Sequence, residues 1–109
     1  MGVHNIQTME EFRSTIKEHN LVVLDAFAVW CGPCKAIAPE IVKWSEQDEF
    51  KDKVYFAKFD VDDLPALAQE LGVRAMPTFV VFKNGEKADE FVGANPPALL
   101  KVVEKHVAP

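Results

Sequence analysis

Cys31 and Cys34 are the only cysteines in the chain, and Gly32-Pro33 stands between them. A C-x-x-C pair can supply half of a zinc site, lie inert in a core, or cycle between dithiol and disulfide. A structural zinc needs four ligands, and only His4, His19 and His106 remain to complete the set. These lie far away in sequence and on different expected elements, so no metal and no cofactor are expected. An inert core pair fits poorly beside Gly32-Pro33, which marks an exposed turn.

Redox cycling suits the position best. The apolar segment Leu21–Phe27 comes just before the pair, and helical spacing of Ile37, Ile41 and Trp44 comes just after it. A cysteine at such a strand-to-helix junction faces free backbone N–H groups and the positive end of the helix dipole. Both favour thiolate, so Cys31 should ionise below the free-thiol value of about 8.5. Cys34, one helical turn further in, should be less exposed, stay protonated and act second. A Cys31 thiolate would attack a disulfide to give a mixed disulfide, which Cys34 would resolve.

Asp25 is the second signal, the one polar residue in Leu21–Phe27. A buried carboxylate costs several kcal/mol unless paired, so its pKa should rise. Two roles remain open on these grounds. It can be structural, facing a polar edge or pairing with a lysine such as Lys58. It can also take the proton from Cys34.

The rest of the chain must form elements that hold these groups. With 109 residues it is expected to be one domain, 1–109. The net charge is −5, which argues against binding a phosphate backbone, so no nucleic-acid partner is expected. The longest uninterrupted apolar run, Ala26–Cys31, falls short of the ~18 residues of a membrane span. No membrane association is expected. The first residues lack a signal-peptide pattern, which points to a reducing, cytoplasmic setting.

Strands are expected at His4–Gln7, Leu21–Phe27, Val54–Val61, Thr78–Phe82 and Lys87–Val92, the last two joined through Asn84-Gly85. Helices are expected over Met9–His19, Cys34–Gln47 with Ala38 and Val42 widening its apolar stripe, Leu64–Leu71 capped by Asp62 or Asp63, and Pro96–Val107 capped by Asn95. Pro39 should kink the second helix. The order β-α-β-α-β-α-β-β-α indicates an α/β fold with a mixed central sheet and helices on both faces.

Trp30-Cys31-Gly32-Pro33-Cys34-Lys35 followed by Ala38-Pro39 resembles the active-site motif of the thioredoxin family. Asp25, Met76-Pro77-Thr78, Lys83-Asn84-Gly85 and Val92-Gly93-Ala94 extend the resemblance from about His4 to Val107. It implies the thioredoxin fold and a protein-disulfide reductase with Cys31 as nucleophile and Cys34 as resolving thiol. It implies that Asp25 is the buried proton acceptor, modulated by Lys58, and that the Met76–Pro77 bond is cis. Trp30, Gly32, Pro33, Met76, Pro77, Val92, Gly93 and Ala94 would form a flat docking patch. The implied partners are thioredoxin reductase, which recycles the chain, and disulfide-bearing clients such as peroxiredoxins or methionine sulfoxide reductases. The chain is expected to act as a monomer. Val29 departs from the family habit of a polar or small residue before the motif tryptophan, and makes the rim more apolar.

Overall fold

The most apolar stretch of the chain becomes the middle strand of the sheet. The computed structural model describes residues 2–108. In chain order the elements are β1 (His4–Asn5), α1 (Met9–Glu18), β2 (Leu21–Phe27), α2 (Gly32–Glu46), β3 (Tyr55–Asp60), α3 (Pro65–Leu71), β4 (Thr78–Lys83), β5 (Glu86–Val92) and α4 (Pro96–Val107). The strands form one sheet in the order β1-β3-β2-β4-β5. β2 pairs with β3 in parallel and with β4 antiparallel. The strand direction therefore changes between β2 and β4 and again at the β4–β5 hairpin.

Alternation along β2 builds two cores. Leu21 and Val23 pack with Ile37, Ile41 and Trp44 of α2 and Leu99 and Val103 of α4. Val22, Leu24 and Ala26 face the other way, onto Phe12 of α1 and Leu67 of α3. A strand covered on both faces must be apolar at nearly every position, and that is how its sequence reads. Asp25 shares the face of Leu21 and Val23 by the two-residue period, so it points toward the α2 side of the sheet.

Local chemistry sets the element ends. Thr8 caps α1, its hydroxyl accepting from the Glu11 N–H at 3.0 Å, while the Glu11 carboxylate returns to the N–H of Gln7 at 2.8 Å. Asn95 caps α4 through the Ala98 N–H at 3.1 Å. Asn84 and Gly85 both have positive φ, 54° and 85°, the backbone a tight two-residue hairpin requires.

Two expectations need correction. The N-cap of α3 is Leu64, with no side-chain cap bond, rather than Asp62 or Asp63. Pro65 opens that helix with a pre-set φ and no N–H to satisfy, and Asp62 belongs to a turn in which its own N–H donates to Asp60 Oδ1 at 2.9 Å. On α2, Ala38 and Val42 are exposed, and Cys34 and Ser45 complete the buried stripe instead. α2 runs unbroken through Pro39.

Thr8→Ala removes the cap of α1, an element remote from the cysteines. It should cost about 1 kcal/mol and lower the melting temperature by roughly 4 °C. An unchanged urea midpoint would contradict the capping role.

Candidate active site

β2 ends at Phe27, and the chain turns through Ala28, Val29 and Trp30 into α2. Cys31 is the N-cap of α2, with extended backbone at φ −89° and ψ 111°. The backbone N–H of Cys34 donates to Cys31 Sγ at 3.1 Å. An oxygen of Ser, Thr, Asp or Asn usually fills this role; here a sulfur does. The helix begins at Gly32, earlier than the expected Cys34, because capping by Cys31 makes Gly32 and Pro33 its first two residues.

Cys31 and Cys34 are joined by a disulfide, with Cα atoms 5.3 Å apart. Both residues are 5% exposed. The expected difference in exposure is absent. Phe27, Val61 and Met76 pack against the pair together with Ala28, so neighbouring elements cover both residues. Cys31 Sγ also lies 3.6 Å from the Met76 carbonyl oxygen.

The Met76–Pro77 bond is cis. Met76 is half-buried and Pro77 buried, and the Thr78 hydroxyl donates to the Ala75 carbonyl at 2.6 Å. The Gly93 N–H donates to the Pro77 carbonyl at 2.9 Å, which ties the end of β5 to this loop. Gly93 has φ +111°, a conformation that favours glycine. Val92 is exposed, and Ala94 is half-buried against the α2–α4 core. Gly32 and Pro33 are exposed on the first turn of α2.

Trp30 is 65% exposed, and its indole N–H donates to Asp62 Oδ2 at 2.9 Å. Asp62 is the residue that sequence reasoning misplaced. Nothing local pairs positions 30 and 62; parallel pairing of β2 and β3 brings the segments after them to the same end of the sheet. The structure thus gathers Trp30, Gly32, Pro33, Met76, Pro77, Val92 and Gly93 at the end of the sheet that carries the disulfide.

Asp25 lies in β2, beside Lys58 on β3 and Phe79 on β4. It is 6% exposed, and its Oδ1 has no hydrogen-bond partner among the described residues. Burial pushes its carboxyl up from the ordinary 3.8 to about 7, and the positive charge of Lys58 only partly opposes this. The Lys58 ammonium lies 5.5 Å from the centre of the Phe27 ring, held by its electron-rich face. The open question about Asp25 narrows here: this carboxyl sits apart from polar edges and titrates near neutral pH.

A carboxyl whose folded value exceeds its unfolded one is harmless while protonated. Its penalty is absent below about pH 4, grows as pH rises, and is complete above about 7. Asp25→Asn should therefore flatten the pH dependence of stability of the oxidised protein over that window. Above pH 8 the variant should lead by on the order of 4 kcal/mol in urea unfolding. Parallel parent and variant curves would contradict the raised value.

Comparison with known proteins matches this arrangement to one family. The family model described as Thioredoxin matches residues 3–105. The chain is 52% identical over 103 residues to Thioredoxin-2 of Pyricularia oryzae, covering 94% of this chain and 58% of that protein. It therefore spans little more than half the length of that relative. Among solved structures, the thioredoxin of Malassezia sympodialis (Mala s 13) superposes with a TM-score of 0.92 at 46% identity, over 99% of this chain and 94% of that one. A structure from work on thiol resolution in yeast mitochondrial 1-Cys peroxiredoxin by the glutathione and thioredoxin systems matches with a TM-score of 0.86 at 39% identity, over 94% of each chain. A cysteine pair closed as a disulfide on the first turn of α2, on this fold and with these relatives, is built for dithiol–disulfide exchange, and the chain belongs to the thioredoxin family of thiol–disulfide oxidoreductases.

Proposed function

We propose that this chain reduces disulfides in other proteins, with Cys31 as nucleophile and Cys34 as resolving thiol. The observation that carries the assignment is the 3.1 Å hydrogen bond from the Cys34 N–H to Cys31 Sγ at the start of α2. In the reduced protein that N–H and the helix dipole favour negative charge on Cys31 rather than on Cys34. The Cys31 thiolate attacks one sulfur of a client disulfide. The client S–S bond breaks, a mixed disulfide forms, and the second client sulfur leaves as a thiolate.

Cys34 must then lose its proton. Asp25 is its acceptor in this reading, supported by its burial, its place on the α2-facing side of β2 and its pKa of about 7. Ionised Cys34 attacks Cys31 Sγ and the mixed disulfide breaks. The client leaves with both sulfurs reduced, and the chain holds the Cys31–Cys34 bond. Lys58 modulates Asp25 through its charge, which favours the ionised carboxylate.

An extended client segment would lie along Met76-Pro77 and pair as an added strand. Trp30, Gly32, Pro33, Val92, Gly93 and Ala94 would flank it. In this reading residues 1–109 act as one monomeric domain that carries electrons in the cytosol. Thioredoxin reductase would recycle it, and peroxiredoxins or methionine sulfoxide reductases would be its clients. A solved relative's link to a peroxiredoxin supports that client class, and the same fold occurs in Mitochondrial Thioredoxin 3 of Saccharomyces cerevisiae. No helix among the described residues is long and apolar enough to cross a membrane.

Insulin reduction driven by dithiothreitol should fall to the background rate in Cys31→Ser; equal rates in parent and variant would end the reductase reading. Cys34→Ser should instead accumulate a stable mixed disulfide with a client, visible on a non-reducing gel. In stopped-flow measurements, Asp25→Asn should slow release of the client far more than the first attack. In the parent that release should slow as pH falls below about 7, because a protonated Asp25 accepts nothing. Loss confined to the first step would contradict the proton-acceptor role.

A further inference from the structure

Four large apolar side chains stand exposed among the described residues: Val29, Trp30, Val42 and Val92. Val42 lies on the outer side of α2, but the other three lie at the sheet end that carries the disulfide. Two of these are tied down. Trp30 is hydrogen-bonded to Asp62, and Val92 ends β5 in register with Thr78, next to Pro77. Val29 has no such role. It is 59% exposed and belongs to none of the three apolar clusters.

A single exposed valine is ordinary on a protein surface; its position makes this one informative. Val29 is two residues from Cys31, in the turn that leads from β2 to α2. A client that brings a sulfur to Cys31 must also bring the neighbours of its own cysteine close to this turn. A β-branched side chain has little rotamer freedom to lose on contact. The carboxylate bound to the rim is that of Asp62, on the β3 side of Trp30 and across β2 from Val92. Val29 thus keeps the turn before Cys31 apolar where a charge could otherwise stand.

We propose that Val29 is a specificity-determining residue, which selects client disulfides whose attacked cysteine has an apolar rather than a charged neighbour. The proposal rests on the protein-disulfide reductase reading and adds the class of client that the site prefers. Contact with an apolar client residue buries the exposed part of Val29. A charged client residue would lose water there without gaining a partner.

The test uses three peptide disulfides that differ only beside the attacked cysteine, carrying leucine, lysine or glutamate. Each is reduced by the parent, by Val29→Glu and by Val29→Lys, and kcat/KM is compared. The parent should favour the leucine peptide over both charged ones by about fivefold. Val29→Glu should move the preference to the lysine peptide, and Val29→Lys to the glutamate peptide. Both new preferences should fade in 0.5 M salt as the charges are screened. Ratios unchanged between parent and variants would overturn the proposal. So would a uniform slowing of all three peptides, the mark of a merely structural role. Reduction of a small aromatic disulfide by the parent reports the reductase reading on its own. If that reaction fails too, the underlying reading falls, whereas if it proceeds with flat peptide ratios only the role of Val29 does.

Discussion

One backbone N–H holds the site together. The hydrogen bond from Cys34 N–H to Cys31 Sγ starts α2, places the two sulfurs on a single helical turn and directs a donor at the sulfur proposed to carry charge. A serine at position 31 could cap the helix equally well but could form no disulfide. A cysteine elsewhere in the turn could form a disulfide but would lie outside the cap. The spacing of the pair follows from this double duty, because the N-cap side chain reaches the N–H three residues on.

This cap depends on β2. The strand is buried on both faces between two cores, so it leaves little freedom in where its end delivers the chain. The same burial gives Asp25 its properties. An aspartate in a one-sided sheet would ionise in the ordinary range, whereas this one, covered by α2 and flanked by Lys58 and Phe79, titrates near 7. Packing that stabilises the fold therefore holds one group in a form that opposes stability at neutral pH. A buried carboxyl kept near neutral pH can serve proton transfer. Lys58 limits the cost, and its ammonium is held over the Phe27 ring.

Much of this was legible along the chain because it depends on near neighbours. The order of elements, the cap at Asn95, the hairpin at Asn84-Gly85 and the apolar strand Leu21–Phe27 all appear as predicted. These are matters of period, capping and turn chemistry within a few residues. The errors fall where two local signals compete. Asp62 looks like a helix cap, but Pro65 supplies its own start for α3 and leaves Asp62 free to receive the indole of Trp30. Ala38 and Val42 look like core, but the sheet lies on the other side of Ile37 and Ile41.

The sequence by itself determined which atoms can do chemistry and on what element each sits: two sulfurs at a strand-to-helix junction and a carboxyl inside a buried strand. Periodicity and capping are short-range, so they survive in a linear reading. Only the tertiary structure decided what surrounds those atoms. It covered both cysteines equally, brought Met76 to Cys31 and Asp62 to Trp30, and set Asp25 beside Lys58. The last three of these contacts join residues more than thirty positions apart in the chain. Their geometry comes from strand order and register, which no local pattern encodes.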